Sequence, residues 1–409
     1  MLWLSCSWAG SVGRMGGLII KFGTLHDRPG EEPRRDGVLV VEDDRVVGVD
    51  VPAPEGAVTV AAACVVPGLV NAHAHLEMDG NPNAVSFFAQ STPVRRALIA
   101  ASNARRALEA GVTSMRDLGT SDRIALEVRD AIARGSLIGP NVVSAGQVIC
   151  MTGGHGSFAG RTVDGVDDIR RAVREQRRDG ATWIKFIATG GVLTPHAIPG
   201  LAELTPDELT AGVEEAHRLG LSTAAHAIGP EGIVNALRAG IDSIEHGHLI
   251  DDAGIELLVE RGAYLVPTLS AIAAIIEAGP DAGLPTEIVR KAREIAEHAE
   301  ANLRRAVAAG ARVAGGSDAG TPFNGHDNYP REVELMHTML GLTPREALRA
   351  ATTTAATLIG LPRGTLTPGD IADLICLPHD IDHNLGALRT PAVVVKSGTV
   401  THQIEAHEQ

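Results

Sequence analysis

Aromatic side chains are scarce in this chain. They make up 3% of its 409 residues, so a packed interior must be built from Val, Ile, Leu and Ala. Cysteine is scarcer: Cys6, Cys64, Cys150 and Cys376 are the only four. Their spacing contains no CxxC pair, which excludes a disulfide framework and a zinc ribbon and fits reduced thiols in a cytoplasmic protein. No apolar run is long enough to span a bilayer. No basic run occurs either, and the net charge is −14. Phosphate backbones and anionic membranes would be repelled, so neither nucleic acid nor a membrane is an expected partner. The opening "MLWLSCSWAGSVGR" lacks the basic start and apolar centre of a signal peptide. Residues 1–14 read as a non-native or disordered extension, with Met15 rather than Met1 as the expected start.

What is present is 44% hydrophobic residues in two textures. Residues 15–66 hold short β-branched runs, "GGLIIKFGTL", "GVLVVEDDRVVGV" and "AVTVAAACVVPG", divided by Gly, Pro and Asp turns. Residues 362–409 repeat that texture in "GTLTPGDIADLICLP" and "PAVVVKSGTV". The two ends together are expected to form a composite β-sandwich.

Residues 67–361 alternate apolar runs with amphipathic helices. Helices are expected over "TPVRRALIAASNARRALEAG", over "TPDELTAGVEEAHRLG" and over "LTPREALRAATTTAATLIG". The second opens with Thr205, Pro206 and Glu208, the pattern of a capped helix start; the third opens the same way at Thr343-Pro344. Eight strands are expected: "CVVPGLVNAHAH", "GVTSMRDLG", "NVVSAGQVI", "ATWIKFIATGG", "LSTAAHA", "DSIEHG", "AYLVPTLS" and "ARVAGGSDAG". Eight such strands with helices between them make an α/β fold of the (β/α)8 TIM-barrel kind, whose site residues sit at the C-terminal strand ends.

The strand ends carry the chemistry. His73 and His75 in "NAHAH" are two residues apart, so on a strand they share one face. Two adjacent imidazoles suit zinc or a similar ion; taken alone, the pair could equally be a chance doublet on a wet loop. Lys185, His226, His246 and Asp318 each follow an apolar run just before a Gly or a loop. One such residue says little. Four of them in register with the histidine pair, over successive units, point to a metal centre.

These motifs, with "GGHG", "AAHAIGPEGI" and "VPTLS", resemble the amidohydrolase superfamily. The similar branch holds imidazolonepropionase-like amidohydrolases and Xaa-Pro dipeptidase-like or carboxypeptidase-like enzymes. The resemblance implies two divalent metal ions. It assigns His73, His75 and Asp318 to one ion and His226 and His246 to the other. Lys185 bridges both as a carbamate formed with carbon dioxide, because an ammonium would repel the ions. Zinc suits the donors best, though manganese, cobalt or iron also fit. Asp318 moves the proton from the attacking water to the leaving nitrogen. The implied reaction is hydrolysis of an amide C–N bond in a small molecule, a dipeptide or N-acyl amino acid. The implied assembly is a homo-oligomer.

Around the ligands, His155 in "MTGGHGSF" is implied as a substrate contact. His248 lies outside the usual ligand set and either touches substrate or faces solvent. His196 has no assigned role. Arg116 and Asp117 read as a buried ion pair or as support behind the ligands. The chain departs from its relatives at Ile228, where a Tyr or His often helps hold a substrate carboxylate, which makes the pocket more apolar. Three other functions are weighed. Ester, lactone or phosphotriester hydrolysis would use the same centre. A mononuclear deaminase or cyclic amide hydrolase would lack the bridging Lys185. An inactive scaffold would have lost ligand positions that are all filled here.

Overall fold

The computed structural model describes residues 17–403. The expected start at Met15, the leading residues 1–14 with Cys6, and residues 404–409 lie outside the described residues.

The two chain ends meet in one seven-stranded sheet. Its order is Thr399–Gln403, Val393–Lys396, Leu374–Leu377, Val58–Pro67, Leu18–Leu25, Arg34–Glu42, Arg45–Val49. Only the Leu18–Leu25 and Val58–Pro67 pair is parallel; each other neighbour is antiparallel. The two-residue pleat sets its inner face. Leu18, Ile20 and Phe22 alternate inward and pack on Val65, Leu374, Cys376 and Val395. The sheet curls until its far edge reaches the segment before Leu374. There Val46 N donates to Asp370 O at 2.9 Å and Ala372 N to Asp44 O at 2.8 Å.

Between the chain ends runs the barrel. Its strands are Leu69–Ala74, Val112–Asp117, Asn141–Ser144, Trp183–Ile187, Ser222–Ala227, Ser243–His246, Tyr264–Val266 and Arg312–Val313. Neighbours pair in parallel from the first to the third and from the fourth to the eighth. Thr182 N donates to Ser144 O at 3.0 Å and joins the third to the fourth. The circuit closes where Ala72 N donates to Gly315 O and Asp318 N to His73 O, each at 2.9 Å. Gly316 permits that closure: a Cβ there would lie 2.9 Å from both the backbone N and the Cβ of His73. The first two strands are buried at every residue, as strands covered on both faces must be.

Two elements differ from expectation. "NVVSAGQVI" is two strands. The chain turns at Gly146, with φ of +66°, and Ile149–Met151 then pairs with Arg161–Val163 and, through Ile149 alone, with Phe186 of the fourth strand. The helix begun at Thr343 is continuous but widens to a π turn over Ala350–Thr354. Ala350 O accepts from Gly315 N at 2.8 Å, which draws that carbonyl toward the eighth strand. The expected caps do form: Thr205 with Glu208 and Thr343 with Glu346 make reciprocal capping boxes. No helix among the described residues is long and apolar enough to cross a membrane.

Candidate metal centre

His73 and His75 leave the first strand on the same side, their ring centroids 5.3 Å apart. Each has its Nδ1 engaged. His73 Nδ1 donates to Glu245 Oε2 at 2.8 Å, and His75 Nδ1 donates to Gly119 O at 2.9 Å. Each Nδ1 therefore carries a proton, and both Nε2 atoms face inward. They face one another's neighbours closely. Asp318 Oδ1 lies 3.0 Å from His75 Nε2 and 3.4 Å from His73 Nε2, and Lys185 Nζ lies 3.5 Å from His73 Nε2. A carboxylate oxygen and an imidazole lone pair at 3.0 Å repel unless positive charge lies between them.

His226 and His246 complete the ring of donors. Their centroids are 4.5 Å apart, and His246 stands 5.3 Å from His73. His226 Nε2 and Asp318 Oδ1 are buried without a hydrogen-bond partner among the described residues, which marks them as free donor atoms. One atom each from His73, His246 and Asp318 falls within 4.8 Å of the other two. His246 and Asp318 reach this cluster through left-handed backbone, at φ of +73° and +55°. Such strain costs on the order of 1–3 kcal/mol per residue and persists where the surroundings over-determine it.

At His75 burial is outweighed by the Asp318 carboxylate, which raises the imidazole. Elsewhere burial pushes the His226 and His246 imidazoles well below 6.5, helped by His155 at His226, by His226 at His246 and by Lys185 at both. It raises Asp318, but His73, His75 and Lys185 outweigh it and hold this carboxyl far below the usual carboxylate range. It brings Lys185 down to about 8, against the pull of Glu245 and Asp318. Neutral imidazoles and an ionised carboxylate are the protonation states that bind a divalent ion. The nitrogen-rich donor set suits zinc-class metals.

The nine residues singled out in the sequence, namely these six with His155, Ile228 and His248, all line one cleft. His155 Nδ1 is 2.8 Å from Thr194 Oγ1, and its ring stacks 4.5 Å from that of His226. Gly191 makes room for that ring, since a Cβ there would lie 2.5 Å from His155 Nε2. His248 is buried and lines the cleft; its Nε2 donates to Pro267 O at 2.8 Å. Ile228 belongs to an aliphatic wall with Val192, Leu193, Ile272 and Ile275. Met78, Phe88 and Phe158 form a second apolar wall, the two phenyl rings 5.2 Å apart. His196 is exposed.

Arg116 and Asp117 do not pair with one another. Consecutive strand residues point to opposite faces. Arg116 bonds Glu245 Oε1 at 2.8 Å and Ala72 O at 2.6 Å, whereas Asp117 accepts from Leu76 N at 2.8 Å. Glu245 was not singled out in the sequence. It joins Arg116 to His73, and despite burial the Arg116 guanidinium and the His73 hydrogen bond hold its carboxyl at about 2. Thr268, 2.6 Å from His246 Nδ1, and Thr194 were missed as well. The one available signal was the acid next to a strand-end histidine in "SIEHGH".

A parallel barrel with histidine, lysine and aspartate side chains gathered at its strand ends defines a hydrolase class. The family model described as "Amidohydrolase family" matches residues 64–404, and the chain belongs to that family. Ochratoxinase from Aspergillus niger is 32% identical over 408 residues, covering 90% of this chain and 82% of that protein. Its crystal structure matches with a TM-score of 0.84 at 29% identity, over 96% of each chain. The crystal structure of a Xaa-Pro dipeptidase with bound methionine in the active site matches with a TM-score of 0.86 at 28% identity, over 94% of this chain and 99% of that one. The family and these hydrolase relatives make this chain a hydrolase acting on C–N bonds.

Proposed function

We propose that the protein is a binuclear metal-dependent hydrolase that cleaves the amide bond of an N-acyl amino acid or dipeptide with apolar groups on both sides. The observation that carries this reading is the convergence of His73 Nε2 and His75 Nε2 on Asp318 Oδ1, at 3.4 and 3.0 Å, with His226 Nε2 and His246 beside them. His73, His75 and Asp318 would hold one ion and His226 and His246 the other, with Lys185, carboxylated, shared by both. The ions, when bound, would polarise the amide carbonyl and make a water acidic enough to ionise near neutral pH. Lys185 supports its own part: at about 8 its amine is neutral in a useful fraction, and carbon dioxide reacts with the neutral form.

The remaining work falls to side chains. Asp318 takes the proton of the attacking water at Oδ1 and returns it to the leaving nitrogen. His155, fixed by Thr194, would touch the substrate, and so would His248. The Phe88 and Phe158 wall and the Ile228 wall exclude water and would seat the two apolar halves. The ochratoxinase likeness supports an N-acyl amino acid; the Xaa-Pro dipeptidase likeness supports a dipeptide. A cytoplasmic homo-oligomer goes with this reading.

A second reading, ester or lactone hydrolysis at the same centre, is favoured by one feature. No arginine lines the cleft among the described residues, and Ile228 stands where a carboxylate-binding side chain would help. A turnover screen of the zinc-loaded protein decides between them. N-acyl amino acids and dipeptides varied at both ends would be compared with uncharged esters and lactones. Release of apolar amino acids supports the amidase. Turnover of esters or lactones with every amide untouched transfers the function to the second reading.

A further inference from the structure

A separate group of ligand-type side chains meets at the chain-end sheet, two of them buried and the third partly exposed. His26 follows the strand Leu18–Leu25, Cys64 lies in Val58–Pro67, and Asp380 follows Leu374–Leu377. One donor atom from each falls within 4.8 Å of the other two. His26 is 2% exposed, and neither of its ring nitrogens has a hydrogen-bond partner among the described residues. Buried imidazole nitrogens are rarely left so, because each forfeits its water without replacement. Its Nε2 stands 3.5 Å from Asp380 Oδ1, outside hydrogen-bond geometry.

The surroundings preorganise the other two donors. Asp380 Oδ2 accepts from Thr24 Oγ1 at 2.9 Å and from Arg35 Nη1 at 2.7 Å, and Oδ1 accepts from Asp382 N at 3.1 Å. The carboxylate is thereby held with Oδ1 toward His26. Cys64 is fully buried in the core shared with the barrel, while Cys376 on the adjacent strand faces the core of the curled sheet. The two thiols point to opposite faces and do not pair. Burial raises the Cys64 thiol to about 12, but the Ile381 backbone N–H favours the thiolate. Burial also lowers the His26 imidazole, which keeps its lone pair available.

We propose that His26, Cys64 and Asp380 form a structural site for a zinc-class divalent ion, which ties the N-terminal strands to the segment after Leu377. One sulfur, one nitrogen and one oxygen donor form a borderline-soft set that suits zinc, with water as the fourth ligand. Binding converts the Cys64 thiol to a thiolate and releases its proton to solvent. Asp380 is paired with Arg35 at 2.7 Å and Asp382 with Arg345 at 2.7 Å, so the thiolate is the new negative charge that meets the ion.

Cobalt substitution in the full chain tests the site. None of the six barrel-mouth donors is a sulfur, so a near-ultraviolet thiolate-to-cobalt charge-transfer band reports on a cysteine site alone. The band is expected in the cobalt-loaded wild type and absent in Cys64→Ala, which also binds one cobalt fewer per chain and keeps the visible bands of the barrel mouth. His26→Gln retains Cys64 and is expected to weaken or shift the band. A wild type without the band, a band that survives Cys64→Ala, or a band unchanged in His26→Gln overturns the site. The amidase reading is judged by turnover, so either can fail while the other stands.

Discussion

The barrel mouth and the core of the chain-end sheet are equally buried and oppositely composed. On the inner face of the sheet, Leu18, Ile20, Leu374 and Val395 follow a two-residue pleat and pack into an aliphatic cluster. At the mouth, His73, Lys185, Glu245, His246 and Asp318 occupy interior just as dry. Ionisable groups in such a place carry a desolvation cost that only close partners offset. Two of them also hold left-handed backbone. The sheet is therefore where apolar burial stabilises the fold. The mouth is where that stability is drawn down to keep lone pairs converged.

The sharpest way to break this contrast is Lys185→Ala. It should abolish metal retention and turnover, with partial rescue by short carboxylic acids that replace the carbamate, while the far-ultraviolet dichroism stays wild-type. Retained metal and turnover would remove the bridging role of Lys185. Next comes Glu245→Gln. It leaves every proposed donor in place but weakens the grip on His73 Nδ1. Metal affinity should fall roughly 10–100-fold, read by competition with a chelator. Unchanged affinity would mean that Glu245 only partners Arg116.

Ile20→Ala tests the other region. Loss of a fully buried side chain should cost about 2–5 kcal/mol in denaturant unfolding, with kcat unchanged. A matching fall in kcat would show the two regions to be coupled. The smallest effect concerns pH. Glu332 accepts the Leu269 and Ser270 N–H groups at 2.9 and 2.7 Å and so holds the start of the helix that carries Ile272 and Ile275. Burial pushes its carboxyl from 4.5 up to about 7. The protonated form is favoured in the fold. Its contribution is complete below the unfolded value and is lost as pH rises through about 7. Glu332→Gln should flatten the slope of melting temperature between those limits; an unaltered slope would assign it to other groups, such as Glu77, also raised to about 7.

Much of this was legible in the chain itself. The pleat places His73 and His75 on one face, and the Thr205 and Thr343 caps announce their helices. Glu245 was not legible, for a local reason. On a regular strand it would face away from its neighbour His246. The left-handed turn at His246 cancels that alternation, and both side chains reach His73. Of the two readings of Arg116 and Asp117, mutual pairing fails because there the alternation holds, while support behind the ligands agrees with Arg116 on Glu245. The split of "NVVSAGQVI" depends on the turn at Gly146, which a β-branched run does not reveal.

By itself, the sequence determined the alternation of strands and helices, the helix starts and the kinds of donor available at the strand ends. These follow from periodicity and side-chain chemistry within a few residues. Tertiary structure alone decided which donors meet. His73 and Glu245 are 172 residues apart, and their contact depends on barrel closure at Gly315 and Gly316. The inward aim of the His73 and His75 Nε2 atoms is likewise tertiary, because a ring's orientation is set by whatever lies against the other ring nitrogen.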